Sequence, residues 1–203
     1  APPVSDGSGR DRDFLRKGLE ALQAAGYALK GGRMVGPDGQ PLAFEIMLNG
    51  NAGVPLATSW ARTLERLGIR ADIRVVDAAQ YLQRQRTYDF DAMLHLYTSS
   101  LSPGAEQVFR WGSANRDLDG TFNFAGVAEP AVDAMIDALL NARTREDFVA
   151  AVRAYDRVLL SGAYVVPLYH QPVRWVARWK EIERPQATPL YGPQFQTWWH
   201  AAD

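Results

Sequence analysis

Two features of the sequence predict an α/β fold. Segments with strand-like composition alternate with segments of helical period between residues 42 and 97, which is typical of a sheet covered by helices. One of these segments, Ile69–Val76, alternates apolar and polar residues, as expected for a strand with one solvated face. The predicted order is strand Leu42–Leu48, helix Gly53–Leu67, strand Ile69–Val76, helix Ala78–Arg86 and strand Phe90–Tyr97.

A helix and a hairpin are predicted before these strands. Asp11–Ala25 carries apolar residues at helical spacing, and Gly26 is a suitable C-terminal stop. A Gly-rich turn at Gly31–Gly32 follows. The turn Gly36–Gly39 is flanked by two short segments, which favours a small hairpin there.

The second half begins with a long irregular segment, residues 98–126, in which only Gly104–Arg110 has a helical pattern. Long irregular segments within compact domains are usually functional. Later elements are predicted to be helices Ala131–Leu140 and Thr144–Leu160, then strands Val165–His170 and Val173–Trp179. The tail from Arg184 has neither a helical nor a strand period, and its prolines and aromatic residues suit a segment that lies across another surface.

The composition excludes several kinds of site. The net charge of −1 does not favour a surface that binds nucleic-acid phosphates, so no nucleic-acid partner is expected. The absence of cysteine excludes disulfides and thiolate metal ligands. No run of about 18 apolar residues occurs. The first nine residues resemble a linker and not a signal peptide, so we expect the chain to be a piece of a longer protein.

No motif in the sequence indicates an enzyme. Neither a nucleophile elbow nor a phosphate-binding loop occurs, and no histidine has metal-site spacing, so no cofactor or metal is expected. His95 lies mid-strand, where a structural histidine and a ligand or base are both compatible with the pattern. Asp89 and Asp91 share a strand face; they could do acid–base chemistry or bind backbone N–H groups.

Short motifs along nearly the whole chain resemble family-5 solute-binding proteins of peptide and nickel ABC importers. The resemblance rests on six segments that occur in the family's order: Ala24–Tyr27, Asp38–Leu42, Leu67–Ile69, Tyr88–Met93, Glu129–Asp133 and Val166–Tyr169. A second set resembles the YejA-type oligopeptide-binding branch: Ser100–Gln107, Trp111–Ser113, Asn123 with Gly126, Tyr155–Leu160, Tyr191–Pro193 and Thr197–Trp199.

The resemblance implies one lobe of a type II periplasmic-binding-protein fold, with a mixed sheet flanked by helices. It implies that residues 1–203 form the C-terminal lobe, that the N-terminal lobe is missing, and that tail 184–203 packs on that lobe. The implied function is substrate binding for an ABC importer, in the periplasm, with a peptide ligand and permease subunits as partners. Without its partner lobe, the chain is expected to self-associate through exposed aromatic residues.

The ligand-binding residues are expected in the loop that follows the strand Phe90–Tyr97, since open α/β sheets bind ligands beyond the carboxyl ends of their strands. Hydroxyl groups, flat aromatic surfaces, an amide and a guanidinium suit a peptide. The predicted set is Tyr97, Ser99, Ser100, Ser102, Arg110, Trp111, Asn123 and Phe124.

Each of these assignments has an alternative. Phe109, Trp111 and Phe124 could be core residues, and Ser102 could cap the following helix. The loop also departs from the related dipeptide and oligopeptide receptors, in which an aspartate meets the peptide's amino group, because its first carboxylate is Glu106. A hydrolase that uses a binding-protein-like lobe is the alternative function. The sensing lobe of a transcription regulator is a third, although no helix-turn-helix segment is visible.

Overall fold

The computed structural model describes residues 11–98, 102–169 and 173–201 of the chain. It divides into two units, residues 1–165 and 166–203. Within the described ranges, no helix combines the length and the apolar character needed to cross a bilayer. The secondary structure below is given for each unit separately.

The first unit begins with helix α1 and a pair of short strands. Helix α1 is Arg12–Ala24, and strands β1 (Ala28–Lys30) and β2 (Arg33–Val35) pair antiparallel across Gly31–Gly32. The hairpin therefore closes at the first glycine turn. The second turn, where we predicted it, closes only an isolated bridge between Val35 and Pro41. Both glycines of the first turn have positive φ, which glycine adopts without strain.

A three-stranded parallel sheet and its helices follow. Strands β3 (Ala43–Asn49), β4 (Arg70–Val76) and β5 (Ala92–Met93) lie in the order β4–β3–β5. The connections are helices α2 (Val54–Glu65) and α3 (Ala78–Arg86). Register aligns Ile46 of the central strand with Ile73 on one side and Ala92 on the other. The predicted helices and the first two strands are confirmed, whereas the strand Phe90–Tyr97 shrinks to two residues.

The sheet has a buried core on each face. Ile46 and Leu48 of β3 pack with Ala57 of α2 in one cluster. Met47 points to the opposite face, where it packs with Val76 and Tyr81. Burial of alternate residues on opposite faces follows from the period of two along a strand.

The remaining α-helices of the first unit lie in its second half. Helix α4 (Glu106–Trp111) is followed by α5 (Pro130–Asn141) and α6 (Arg145–Ser161), which pack together around Val132, Ile136 and Tyr155. The predicted cap of α6 is confirmed, because Thr144 Oγ1 accepts a hydrogen bond from the Asp147 N–H at 3.0 Å.

The second unit contains little regular structure. Strands β6 (Ile182–Glu183) and β7 (Trp199–His200) pair antiparallel. In the described parts of Val165–His170 and Val173–Trp179 no strand forms, so those two predictions are wrong there. His170 itself lies outside the described residues.

Candidate ligand-binding site

The order of the strands places a topological switch point at the central strand. From β3 the chain crosses through α2 to β4 on one side, and from β4 it crosses through α3 to β5 on the other side. The connection that leaves β3 and the connection that leaves β4 therefore run in opposite directions along the sheet. Ligands of open α/β sheets bind at such a switch point, beyond the carboxyl ends of the strands.

An aromatic wall lies where β5 ends. We use this name for His95, Tyr97, Trp111, Phe122 and Phe124. The Tyr97 and Trp111 rings stack, with centroids 5.5 Å apart and an interplanar angle of 23°. His95 makes T-shaped contacts with Tyr97 and Phe124, with ring centroids 4.8 and 5.0 Å apart, and Phe122 makes one with Phe124 at 5.9 Å. Three chain segments that are distant in sequence thus form one aromatic surface.

His95 is exposed, but neighbouring rings shield part of its imidazole. This partial desolvation, followed by the positive charge of Arg110, lowers the pKa of His95. The Nδ1 atom of His95 lies 3.3 Å from Nε2 of Gln85, a buried residue of α3. If Nε2 of the amide is the donor, Nδ1 is the acceptor and the proton of the neutral ring sits on Nε2 of His95.

Arg110 supplies the positive charge of the site. It projects from the last turn of α4, and its guanidinium donates a hydrogen bond to the carbonyl of Thr98, next to Tyr97. Burial raises the pKa of Tyr97, and the charge of Arg110 opposes that effect. The phenol of Tyr97 therefore stays protonated near neutral pH and can donate a hydrogen bond.

Buried polar contacts fix the beginning of α4. The hydroxyl of Tyr155, in α6, donates to Oε1 of Gln107 at 3.0 Å, and both residues are buried. Gln107 Nε2 donates to Glu106 Oε1, which also accepts from the Gly104 N–H, each at 3.1 Å. The hydrogen bond from Gln107 is the main cause of the lowered pKa of Glu106. The carboxylate is therefore ionised and turned towards its own loop.

Asn123 fixes the other end of α4. Its side chain is 0% exposed. Nδ2 donates to the carbonyls of Gly112 (3.1 Å) and Val127 (2.8 Å), and Oδ1 accepts from the Val127 N–H at 2.8 Å. Both amide protons are used within the loop. Asn123 therefore holds the backbone beside Trp111 and does not reach a ligand in this conformation.

The structure brings together four of the eight predicted site residues, Tyr97, Arg110, Trp111 and Phe124. Ser99 and Ser100 lie outside the described residues. Ser102 is exposed, and α4 begins only at Glu106, so Ser102 does not cap this helix. His95 is a site residue that the sequence prediction did not include; the signal for it is the alternation of His95 with Tyr97 in the segment after β5.

Metal binding has no support in the described ranges, 11–98, 102–169 and 173–201. These residues contain no group of three or more His, Cys, Asp or Glu side chains that could surround an ion. The two aspartates of the Tyr88–Met93 motif have structural contacts. Asp91 Oδ2 accepts from the Glu45 N–H at 2.9 Å, and Asp89 Oδ2 accepts from Arg84 Nε at 3.1 Å. The backbone-binding interpretation of Asp91 is thus the one that its contact supports.

Comparison with protein families gives a direct match. Residues 1–119 match the model of bacterial extracellular solute-binding proteins, family 5 Middle. The chain belongs to this family. The family's description is that of extracellular solute-binding proteins of bacteria, and the prediction of family-5 membership is confirmed.

Curated relatives of the chain include two from Agrobacterium fabrum. The peptidoglycan-binding protein YepA is 50% identical over 201 residues, which are 99% of this chain and 33% of the relative. The probable peptide-binding protein YejA is 40% identical over 199 residues, 97% of this chain and 32% of the relative. The predicted resemblance to YejA is thus confirmed. The chain spans about a third of the length of the curated relatives that it matches.

Solved structures confirm the type II periplasmic-binding-protein fold. The oligopeptide-binding protein AppA from Bacillus subtilis, in complex with a nonapeptide, matches with a TM-score of 0.74. The match covers 92% of this chain and 37% of AppA, at 18% identity. At that level of identity the likeness concerns the fold alone.

Proposed function

We propose that this chain is one lobe of a receptor that binds peptides for an ABC importer, in the periplasm. The observation that carries the proposal is the aromatic wall at the switch point of the sheet, in a chain of the solute-binding family. A receptor for many peptides needs broad apolar surfaces and a few groups for the peptide backbone. The wall and its edge supply both.

In this proposal, the residues of the wall and Arg110 beside it contact different parts of the ligand. Tyr97, Trp111 and Phe124 give flat surfaces for side chains of the ligand, and the Tyr97 hydroxyl donates to a peptide carbonyl. Arg110 adds a positive charge for a carboxylate. The backbone carbonyl of Thr98 already holds its guanidinium, so the charge is fixed in place. Ser99, Ser100 and Ser102 remain proposed ligand contacts, whereas Asn123 becomes a residue that positions the loop.

Ligand capture requires a second lobe in this proposal. A single crevice wall leaves one side of a ligand in water, and two-lobed receptors exclude that water by closing about a hinge. We propose that residues 1–203 are the C-terminal lobe, that tail 184–203 packs on the N-terminal lobe, and that the closed receptor delivers its ligand to the permease subunits.

Peptides derived from the cell wall are a second candidate ligand class. The relative YepA, 50% identical over 99% of this chain, is a peptidoglycan-binding protein. The stacked Tyr97–Trp111 pair, in which both residues are half-buried, could also offer a flat surface to the apolar face of a sugar ring. Muropeptides therefore belong in the set of ligands to be tested.

The hydrolase alternative has no observation in its favour. The amide of Gln85 lies on Nδ1 of His95, where it could only orient the ring. Among the described residues, no serine or threonine hydroxyl forms a hydrogen bond with Nε2 of His95. A catalytic histidine of the triad type needs a nucleophile on one ring nitrogen and an orienting carboxylate or amide on the other. We propose that the chain has no enzymatic activity.

Calorimetric titration tests the proposed function. The full-length protein and this chain are titrated with defined tripeptides, longer peptides, muropeptides and free amino acids. We expect the full-length protein to bind peptides and this chain to bind them at least tenfold more weakly, because one wall is absent. Failure of the full-length protein to bind every peptide and muropeptide, while its circular dichroism shows a folded protein, would refute the proposal.

A matched pair of variants locates the binding surface. Trp111→Ala removes one ring of the stacked pair, and we expect about tenfold or greater loss of peptide affinity. Phe109→Ala, on the same helix, removes an aromatic side chain that is 57% exposed, and affinity should change by less than about twofold. Equal losses in both variants would show that the wall is not the contact surface.

A further inference from the structure

Tyr88 occupies a backbone position at which glycine is usual. Helix α3 ends with Thr87 as its C-cap, and Tyr88 follows with a φ of 55°. The Asp89 N–H bonds to the Arg84 carbonyl at 2.9 Å, and the Tyr88 N–H bonds to the Gln85 carbonyl at 3.4 Å. These two bonds define a Schellman motif, whose left-handed residue is most often glycine because a Cβ is strained there. A tyrosine in this position points to a role for its side chain.

The hydroxyl of Tyr88 holds the loop that carries Phe122 and Phe124. It forms a short hydrogen bond with Thr121 Oγ1. The Thr121 hydroxyl donates its single proton to the carbonyl of Asn115 at 2.8 Å, so Tyr88 is the donor in the short bond. Two hydrogen bonds in series therefore connect the end of α3 with the turn that follows Trp111.

The ring of Tyr88 contacts the aromatic wall through Phe124. Its centroid lies 6.4 Å from that of Phe124, and Phe124 in turn contacts His95. A continuous series of ring contacts runs Tyr88–Phe124–His95–Tyr97–Trp111. Tyr88 itself is half-buried, and its ring also contacts that of Phe90, with centroids 6.5 Å apart.

We propose that Tyr88 is a positioning residue of the aromatic wall: its hydroxyl, through Thr121, and its ring, through Phe124, set the angle at which Tyr97 and Trp111 meet the ligand. The consequence for ligand affinity rests on the proposed function. A small displacement of a stacked surface weakens binding because the contacts depend on distance and orientation.

The effect of the Tyr88 hydroxyl on the aromatic wall can be tested separately from its effect on folding. Tyr88→Phe keeps the ring and removes only the hydroxyl. A separate backbone hydrogen bond, from the Gly120 N–H to the Arg86 carbonyl at 2.8 Å, still joins the loop to α3 in this variant. Thr121→Val removes the partner hydroxyl with little change of shape. Tyr27→Phe is a matched control, since Tyr27 precedes β1 and takes no part in the series of rings.

The experiment uses the full-length protein labelled with 5-fluorotryptophan. The ¹⁹F resonance of Trp111 is assigned as the one missing from Trp111→Phe. In the absence of ligand, we expect Tyr88→Phe and Thr121→Val to shift this resonance and Tyr27→Phe to leave it in place. Affinity for the peptide that binds the parent protein should fall about three- to tenfold in the first two variants, and no further in the double variant, because both remove one interaction.

The outcomes separate this inference from the proposed function. An unmoved Trp111 resonance in Tyr88→Phe and Thr121→Val overturns the inference, whether or not the parent protein binds peptide. A shifted resonance with an unchanged Kd overturns it as well, since the displacement then has no effect on binding. If the Trp111 resonance shifts in Tyr88→Phe and Thr121→Val but the parent protein binds no peptide, the positioning role is supported and the proposed ligand class is refuted.

Discussion

The two units of the chain use apolar residues in opposite ways. In the first unit, apolar side chains at strand and helix periods form three buried clusters. In the second unit, no described residue is buried, and the most exposed large side chains include Trp175 (88%), Leu190 (88%) and Trp179 (81%). A high apolar content therefore gives a core only where its period matches a regular element that has a packing partner. The second unit has the composition of a buried segment without such a period.

The largest contrast is expected from the same substitution in each unit. Leu48→Ala removes a side chain that is 1% exposed, and it should lower the free energy of unfolding by about 2–5 kcal/mol. Leu190→Ala, at 88% exposure, should change it by less than about 0.5 kcal/mol. Urea unfolding followed by circular dichroism measures both. A loss above about 1 kcal/mol for Leu190→Ala would contradict the comparison.

A pair of glycines tests how tightly the first unit is packed. Gly68 and Gly39 have similar φ, 77° and 80°, so alanine is strained at both, by about 1 kcal/mol. A Cβ on Gly68 would lie 2.7 Å from Leu29 Cδ1 and 2.8 Å from the Met34 nitrogen, whereas a Cβ on Gly39 meets nothing within 4 Å. We expect Gly68→Ala to cost about 1–3 kcal/mol more than Gly39→Ala in urea unfolding. Equal costs would show that the backbone near Gly68 relaxes freely.

Self-association tests whether the exposed aromatic residues of the second unit bind another surface. We expect the chain to associate at high concentration and the double variant Trp175→Ser, Trp179→Ser to associate less, because two large exposed apolar side chains are removed. Sedimentation velocity over a range of concentrations measures this effect, and Arg157→Ser on α6 is a surface control. A parent chain that stays monomeric throughout would contradict the expectation.

The smallest expected effect is a change in the stability of the first unit with pH. Desolvation and Arg110 lower the pKa of folded His95. The unfolded chain then binds the proton more readily, so the contribution of neutral His95 to stability is complete above a pH of about 6.5 and is lost as the pH falls through the lower folded pKa. Urea midpoints at pH 7.5 and 5.5 should differ more for the parent than for His95→Phe. If the urea midpoints of the two proteins change equally between these pH values, His95 is not the cause of the pH dependence.

The sequence predicts the sheet and helices of the first unit because local patterns determine them. Helix α3 has the predicted bounds, since Asp77 caps its start by accepting hydrogen bonds from the N–H groups of Ala79 and Gln80, and the turn at Tyr88 ends it. The length of β5 depends instead on its neighbour. Met93 pairs with Met47 in register, and β3 ends two residues later at Asn49. Residues 96 and 97 therefore have no strand beside them, although their composition suits one.

The sequence predicts only part of the candidate site, because local patterns determine the order of the elements but not the contacts between distant residues. The position of the loop after β5 follows from the order of elements, and Tyr97, Arg110, Trp111 and Phe124 lie there. The role of Asn123 depends on carbonyls of Gly112 and Val127, which only the folded loop places around it. The contact between Tyr88 and Thr121 joins residues 33 positions apart. No local pattern encodes either arrangement.

The order of strands in the sheet has a consequence for how the chain folds. β3, α2 and β4 are consecutive, and seven residue pairs join the two strands. β5 must follow α3 to the far side of β3, where two pairs hold it. Contacts that close short stretches of chain form fastest, so we expect the β3–β4 pair to assemble first and β5 to dock afterwards. The aromatic wall begins on the segment after β5, so refolding would complete the proposed binding surface only after β5 has docked.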